Sequence, residues 1–216
     1  SKGEVWTGVR SYMDMGNPRL IRLFSRYSDR VLCCSKKIEE EITSRYHCRN
    51  AVTLYNPLDV EALKQNAVRE GIRLPWEDRE NIIVSMGRED DVKGFWHLLK
   101  SFSLVQKEIT DAKLMIIGEG EFEEYRKLAK ELGVADEVYF TGMKKNPFPY
   151  LHEARVYVLT SYNEGFPNAL VEAMALGIPV IATDCLTGPG EILRKGDSSY
   201  GVLIPNMSPV KNLKPS

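Results

Sequence analysis

The chain has 216 residues, a length that suits one large domain or one domain with part of a second. Apolar residues make up 43% and charged residues 27%, an ordinary globular composition, and no apolar run approaches the ~20 residues of a membrane-spanning helix. The net charge of -1 gives no reason to expect nucleic acid as a partner, and the four cysteines form no C-x-x-C pair, which disfavours a zinc site and fits a reducing cytoplasm.

Residues 1–58 show a short alternation of helical and strand patterns. The predicted elements are a helix at 17–28, a strand at 29–35, a helix at 36–46 and a strand at 51–57. These amount to about one and a half βαβ units, too few to enclose a core of their own. We therefore interpret 1–58 as the carboxy-terminal remnant of a preceding domain, followed by a connection over 58–80.

The rest of the chain alternates apolar runs with amphipathic runs. The predicted strands are 81–88, 112–121, 137–143, 156–161, 179–184 and 201–205. The predicted helices are 95–109, 121–133 and 167–176, with a short helix or turn at 146–154. Such alternation predicts an α/β fold in which 59–216 form a doubly wound, Rossmann-like parallel sheet, with ligands beyond the carboxyl ends of its strands.

Two glutamates flank a turn in the stretch SYNEGFPNALVEAMALGIPVIATD (161–184). Pro167 suits the first turn of a helix, so Glu164 belongs to the loop before that helix. The free N–H groups at such a helix start favour an anion, phosphate above all. Glu172 lies inside the helix among apolar residues, where a carboxylate needs a partner such as the vicinal hydroxyls of a ligand. A Glu172 that faces solvent is the alternative.

Arg88 and Lys93 follow the first predicted strand of the sheet, within GREDDVKGF. Their two positive charges would neutralise a diphosphate without a metal ion. A solvated charged loop is the alternative for these residues. A metal site made from the three adjacent acids, 89–91, is possible, but such a run on a loop is more typical of a solvated face.

These motifs together resemble the family 4 retaining glycosyltransferases of the GT-B fold, over about residues 29–205. The matching segments are Gly87-Arg88, Lys93-Gly94-Phe95, Gly118-Glu119-Gly120, Phe140-Thr141-Gly142, Glu164-Gly165-Phe166-Pro167-Asn168 and the run from Glu172 to Ala182. The two glutamates with seven residues between them are the specific part, whereas the Gly-x-Gly alone is weak. The segment 188–193 looks like the variant found in bacterial capsule, teichoic-acid and lipopolysaccharide transferases.

The resemblance implies a role for each candidate residue. Glu164 would face the donor sugar, while Arg88 and Lys93 would bind the diphosphate and stabilise it as the leaving group, which makes these three the candidate catalytic residues. Glu172 would hold the ribose hydroxyls, and the base would lie near the third strand's end. The candidate donor-binding residues are Glu172, Gly165, Phe166, Asn168, Ala169, Gly142, Met143 and Gly118.

The implied reaction is transfer of a hexosyl group from a UDP- or GDP-linked sugar to a saccharide or lipid-linked acceptor in capsule, lipopolysaccharide or teichoic-acid assembly. The resemblance implies retention of configuration without a cofactor or metal; no second carboxylate stands out as a nucleophile, so spacing alone does not predict retention. The family pattern also implies that most of an amino-terminal acceptor domain is missing and that 59–216 is truncated at its carboxyl end. We expect such a fragment to bind donor weakly and to transfer no sugar.

Other functions remain open on the sequence alone. They are a non-catalytic nucleotide-binding module, a GT-B nucleotide-sugar epimerase and a glycogen phosphorylase-like enzyme; the paired glutamates argue against the last two. A dehydrogenase is disfavoured, because no G-x-G-x-x-G opens the sheet.

The predicted helix at 17–28 places arginines between apolar residues. Such a helix suits contact with an anionic membrane surface, although packing on its own sheet with a solvated basic edge is favoured. The expected location is the cytoplasm, with contact at the inner face of the plasma membrane as the extension of that expectation.

Overall fold

The structure, a computed structural model, describes residues 3–11, 13–68, 71–77, 79–207 and 209–215. Its strands are β1 (Trp6–Val9), β2 (Arg30–Cys33), β3 (Ala51–Thr53), β4 (Ile82–Met86), β5 (Lys113–Ile117), β6 (Val138–Phe140), β7 (Val156–Leu159), β8 (Val180–Asp184), β9 (Arg194–Lys195), β10 (Ser198–Ser199) and β11 (Val202–Pro205). Its α-helices are α1 (Pro18–Tyr27), α2 (Lys36–Tyr46), α3 (Val60–Ala67), α4 (Phe95–Glu108), α5 (Glu123–Glu131), α6 (Phe148–His152), α7 (Asn168–Ala175) and α8 (Pro189–Leu193). Short 3₁₀ helices lie at Met13–Gly16, Asp91–Lys93 and Ala135–Glu137.

The chain divides into two compact units. The first unit comprises Ser1–Leu58, Asn163–Asn168 and Asp184–Tyr200, and the second comprises Asp59–Tyr162, Ala169–Thr183 and Gly201–Ser216. Both divisions, the predicted and the observed, separate residue 58 from residue 59. They differ in the two later segments of the first unit, which the sequence analysis assigned to 59–216.

The first unit is built on a parallel sheet in the order β1-β2-β3. Its buried core comprises Val9, Met15, Ile21, Val31, Cys33, Cys34, Ile38, Ile42 and Cys48. These buried side chains all lie within residues 1–58, while the unit around them also includes Asn163–Asn168 and Asp184–Tyr200, and Phe166 packs against the core. The missed element is β1, a four-residue strand with a glycine in its interior, which gives little strand signal in the sequence.

The helices of the first unit begin where their capping residues predict. The side chain of Asn17 accepts a hydrogen bond from the N–H of Leu20 at 3.2 Å, and Pro18 opens helix α1. The hydroxyl of Ser35 accepts from the N–H of Ile38 at 3.4 Å and caps helix α2. Both helices, predicted at 17–28 and 36–46, are confirmed.

The second unit contains a six-stranded sheet in the order β11-β8-β7-β4-β5-β6. The pairs β4·β5, β4·β7, β5·β6 and β7·β8 are parallel. Numbered along the chain and read from β6, the strands follow the order 3-2-1-4-5-6, which is that of a dinucleotide-binding Rossmann sheet. The predicted doubly wound fold is confirmed, and the order reverses between β4 and β7.

The helix α4 supplies much of the second unit's core. Its side chains Phe95, Trp96, Leu98, Leu99 and Phe102 are buried, at the helical spacing read from the sequence. They form one cluster with residues of β5, α5 and β6. Trp96 is fully buried, which confirms the prediction that it packs in the core.

Helix α3 lies in the segment interpreted as a connection. Asp59 caps it, since its carboxylate accepts a hydrogen bond from the N–H of Ala62 at 2.9 Å. An Asp before a run with Leu63 and Ala67 at helical spacing is a readable start signal. The helix has only eight residues and begins three positions after Pro57, so its periodic pattern is short.

Candidate functional site

Three glycines follow the ends of the neighbouring strands β4, β5 and β6. The N–H of Gly118 donates to the carbonyl of Gly142 at 3.3 Å, and the N–H of Gly87 donates to the carbonyl of Ile117 at 2.9 Å. A Cβ on Gly118 would overlap the carbonyl oxygen of Gly87. The loops therefore contact each other through backbone atoms, without intervening side chains. This leaves the carboxyl edge of the sheet accessible to a ligand.

The charged loop after β4 is ordered by its own acids. The guanidinium of Arg88 pairs with the Asp90 carboxylate, with Nη2 and Oδ2 3.1 Å apart, and the Arg88 side chain remains 73% exposed. Glu89 accepts a hydrogen bond from the N–H of Phe122 at 2.9 Å, and Asp91 pairs with Lys211 at 2.9 Å. The three acids thus have structural partners that the sequence did not indicate.

Lys93 lies where the strand order of the sheet reverses. Its carbonyl accepts a hydrogen bond from the hydroxyl of Thr160, which follows β7, at 2.8 Å. The next residue, Gly94, has φ +61, and a Cβ there would overlap the carbonyl oxygen of Thr160. The aliphatic part of the Lys93 side chain packs over Gly87. The loops after β4 and β7 therefore meet at the switch point, where sheets of this kind bind ligands.

Glu172 is half-buried on helix α7, one turn after the helix begins. Burial raises the pKa of its carboxyl group. Among the residues that the structure describes, none donates a hydrogen bond to this carboxylate or pairs with it. Glu172 keeps part of its surface in solvent, and a half-buried carboxylate in this state can accept hydrogen bonds from the hydroxyl groups of a ligand.

The loop 163–168, which carries Glu164, belongs to the first unit. The carbonyl of Glu164 accepts a hydrogen bond from the hydroxyl of Thr187. A Cβ on Gly165 would overlap the carbonyl oxygen of Arg10, and the ring of Phe166 lies 5.4 Å from that of Tyr55. These contacts hold the backbone of the loop in one conformation.

The remaining candidates are placed as follows. The side-chain oxygen of Asn168 accepts a hydrogen bond from the amide nitrogen of Asn56 at 2.8 Å, Ala169 is half-buried on α7, and Met143 is 74% exposed after β6. The structure brings Arg88, Lys93, Gly118 and Gly142 to one edge of the second unit's sheet. It gathers Glu164, Gly165, Phe166 and Asn168 in one loop of the first unit.

The sequence analysis did not indicate the contacts of two polar residues in the first unit, Thr187 and Glu191. Thr187 holds the Glu164 carbonyl, and the Glu191 carboxylate accepts backbone hydrogen bonds from Lys36 and Lys37, each at 3.2 Å. Local sequence contains no signal for either contact, because the partners are far apart in the chain.

The cysteines are buried thiols. Burial, and then the charge of Glu164, raise the pKa of Cys185 to about 12, which keeps this thiol protonated and unreactive. Within the described residues, no group of three or more His, Cys, Asp or Glu side chains is arranged to hold a metal ion. No helix in the described part of the chain is long and apolar enough to cross a membrane.

Comparison with known proteins assigns the motifs to a family. The model of the family described as glycosyl transferases group 1 matches residues 71–213, more than half of the chain. The match contains Arg88, Lys93, Glu164 and Glu172, so the candidate residues of both units lie inside it.

Two curated relatives are named as bacterial glycosyltransferases. One is the N-acetylgalactosamine-N,N'-diacetylbacillosaminyl-diphospho-undecaprenol 4-alpha-N-acetylgalactosaminyltransferase of Campylobacter jejuni, 31% identical over 90% of this chain and 51% of the relative. The other is the lipopolysaccharide 1,6-galactosyltransferase of Salmonella typhimurium, 28% identical over 79% of this chain and 47% of the relative. The chain thus spans about half the length of these relatives.

A solved structure shares the fold. A mutant of S. aureus TarM, in complex with fondaparinux, alpha-GlcNAc-glycerol and UDP, superimposes with a TM-score of 0.77 at 20% identity. The superposition covers 94% of this chain and 41% of that protein. At this identity the likeness establishes the α/β GT-B fold that the sequence predicts.

Proposed function

The chain belongs to the glycosyl transferases group 1 family, and from that premise we propose that it is the donor-binding part of a hexosyltransferase. The donor is a nucleotide-diphosphate sugar, UDP- or GDP-linked, and the acceptor is a saccharide or a lipid-linked saccharide. The pathway is assembly of a surface polysaccharide: capsule, lipopolysaccharide or teichoic acid. The names of the two bacterial relatives support this choice of acceptor.

Glu172 is the single observation that carries the proposal. It is half-buried, burial raises its pKa, and no described residue partners its carboxylate. A group in this state costs stability and is retained where a ligand supplies the missing hydrogen bonds. Two adjacent ribose hydroxyls donate to one carboxylate with the right spacing, and this is the role we propose for Glu172.

Arg88 and Lys93 bind the diphosphate in this proposal. Arg88 is largely exposed, and among the described residues its ion-pair partner is Asp90 in its own loop. A diphosphate can displace such a surface ion pair at little cost. Two cations at the bridging oxygens stabilise the negative charge that develops as the nucleotide leaves. The reaction then needs no metal ion or cofactor.

Glu164 faces the transferred sugar in this proposal, and the backbone of Gly165, Phe166, Asn168 and Ala169 assists at the start of α7. Gly118, Gly142 and Met143 line the base side. Transfer proceeds with retention of the anomeric configuration, as the family resemblance implies.

The proposed location is the cytoplasm, with peripheral contact at the inner face of the plasma membrane. Helix α1 supports the contact, since Arg19, Arg22 and Arg26 are exposed together with Leu23 and Tyr27, which are 52% and 65% exposed. The helix contains no acidic residue. A helix surface with arginines beside exposed apolar side chains suits an anionic lipid surface.

Calorimetric titration tests the donor site. UDP, GDP, ADP, UDP-GlcNAc and GDP-mannose are each titrated into this chain and into the Glu172→Ala variant. We expect one nucleotide to bind, and we expect the variant to lose roughly tenfold or more in affinity, because hydrogen bonds to a charged group contribute about 1.5–3 kcal/mol.

Glu108→Ala is the matched control, since Glu108 is an exposed glutamate at the end of α4. It should bind nucleotide like the unchanged chain. The absence of any binding at millimolar concentration, or equal binding by Glu172→Ala, would overturn the proposed site.

A further inference from the structure

A carboxylate from the far end of the first unit caps helix α2. Oε1 and Oε2 of Glu191 accept hydrogen bonds from the backbone N–H groups of Lys36 and Lys37, each at 3.2 Å. These are the first two N–H groups of an eleven-residue helix, which have no partner inside the helix. The positive end of the helix dipole also favours a carboxylate there. The contact joins residues that are about 155 positions apart in the chain.

Glu191 is poorly solvated in this position. It is half-buried, and burial raises the pKa of its carboxyl group even though both backbone N–H bonds act to lower it. The neighbouring acid Glu40 differs, because its side chain is 55% exposed and its carboxylate forms an ion pair with Lys37 at 3.8 Å. Glu191 is therefore anchored by the helix start, whereas Glu40 is a surface group beside the same cavity of about 320 Å³.

The segment that precedes Glu191 holds the loop 163–168. The hydroxyl of Thr187 donates a hydrogen bond to the carbonyl oxygen of Glu164. Gly188 has φ +92, and a Cβ there would lie 2.7 Å from Cδ of Pro167. The segment 184–191 thus packs directly on the loop, and a shift of one moves the other.

Two further contacts restrict the backbone conformation of the loop 163–168. Gly165 touches the carbonyl of Arg10 too closely for any side chain, and Phe166 packs on Tyr55. Thr187 supplies the hydrogen bond to the backbone of Glu164 itself. The position of Thr187 depends in turn on where Glu191 anchors the segment.

We propose that Glu191 is a positioning residue for Glu164: by capping helix α2 it fixes the segment 184–191, and Thr187 of that segment holds the backbone of Glu164 in place. The part of this inference that concerns the donor sugar rests on the proposed function, in which Glu164 faces the transferred sugar. The part that concerns the loop rests on the contacts alone.

Hydrogen exchange of the loop 163–168, followed by mass spectrometry, tests the contacts without any ligand. Glu191→Gln keeps the size of the side chain but removes the charge and one acceptor, and Thr187→Val keeps the shape but removes the hydroxyl. We expect each to speed exchange in 163–168 roughly tenfold or more. Thr187→Val removes the hydrogen bond to the Glu164 carbonyl, and Glu191→Gln weakens the cap that fixes the segment carrying Thr187. Thr187→Ser, which retains the hydroxyl, should exchange like the unchanged chain.

Glu40→Gln is the matched control, because it removes a carboxylate beside Lys37 that caps nothing. Its loop should exchange at the original rate. Unchanged exchange of 163–168 in a folded Glu191→Gln chain would show that Glu191 only caps α2 and would overturn the proposal. If Glu191→Gln fails to fold, Glu191→Asp takes its place: it keeps the charge but is too short to reach both N–H groups, and unchanged exchange of 163–168 in that variant would equally overturn the proposal.

Titration of the same variants separates positioning from nucleotide binding. We expect Glu191→Gln to bind the free nucleotide within about twofold of the unchanged chain but to lose the extra affinity contributed by the sugar of the donor. Equal loss for nucleotide and for donor would contradict a positioning role. If the unchanged chain binds no nucleotide, the proposed function fails, whereas the exchange result still decides whether Glu191 holds the loop.

Discussion

The surroundings of Glu172 distinguish a carboxylate that binds a ligand from one that stabilises the fold. A carboxylate that stabilises the fold has protein donors around it, and its pKa falls. Glu172 has none among the described residues, and burial raises its pKa. The structure therefore carries a local cost at this position, as is common at functional sites.

The pH dependence of Glu172→Gln follows from the direction of that shift. Burial raises the folded-state pKa above the ordinary 4.5, so the folded chain is favoured while Glu172 is protonated. This contribution is complete below pH 4.5 and is lost as the pH rises through the folded pKa. Glu172→Gln carries no charge at any pH, so we expect it to be more stable than the unchanged chain at pH 7, with a difference that shrinks towards pH 4.5.

Denaturant unfolding at pH 7 and at pH 5 measures this difference. Glu108→Gln, at an exposed site on α4, serves as the control for the charge change itself. A Glu172→Gln variant less stable than the unchanged chain at pH 7 would mean that the carboxylate has a stabilising partner in the folded protein.

The loops at the carboxyl edge of the second unit act as connected elements. The loops after β4, β5 and β6 meet through Gly87, Gly118 and Gly142, and the contact between Gly118 and Gly87 leaves no space for a Cβ. Neighbouring parallel strands bring their carboxyl ends to the same edge, so a change in one loop displaces the others.

Gly118→Ala tests this close contact. The added methyl group would overlap the carbonyl oxygen of Gly87, so the two loops must move apart. We expect a loss of about 1–3 kcal/mol of stability, the usual cost of an overpacked site, measured by denaturant unfolding. Gly71→Ala is the control, because a Cβ there meets no atom within 4 Å. A loss below about 0.5 kcal/mol, the size of a neutral surface change, would show that the contact is not tight.

At the scale of the whole molecule, charge is unevenly distributed. The net charge is only -1, yet helix α1 exposes arginines and no acid. An overall balance of charge therefore says little about how one face meets an anionic surface, because screening limits each charge to neighbours within about 10 Å.

Vesicle co-sedimentation tests the proposed membrane contact. The vesicles contain about 30% phosphatidylglycerol, an anionic content that supports binding of basic segments. The triple variant Arg19→Gln, Arg22→Gln and Arg26→Gln should bind them roughly a hundredfold more weakly than the unchanged chain, because each basic residue near such a surface contributes about 1 kcal/mol. Vesicles of phosphatidylcholine alone should bind neither.

The control for that experiment removes equal charge elsewhere. Lys107, Lys127 and Lys130 are exposed on α4 and α5, and their replacement by Gln should leave vesicle binding unchanged. If both triple variants lose binding equally, the attraction is one of total charge and α1 is not the contact surface.

The sequence by itself determined the fold of the second unit and the candidate residues. Alternating apolar and amphipathic runs depend on local periods of two and 3.6 residues, so strands such as Ile82–Met86 and helices such as Phe95–Glu108 were predictable. Arg88, Lys93, Gly118 and Gly142 lie at or just after the ends of predicted strands, and parallel strands bring those ends to one edge of the sheet. Short elements such as β1 and α3 were missed, because four or eight residues carry too little periodicity.

Only the tertiary structure decided which distant residues meet. Glu191 reaches the start of α2 across about 155 positions, and Asn163–Asn168 and Asp184–Tyr200 group with the first 58 residues. It also decided that Glu172 is half-buried and has no described partner. Burial and long-range hydrogen bonds depend on how elements pack, and a local pattern of residues contains no record of the side chains that will surround it.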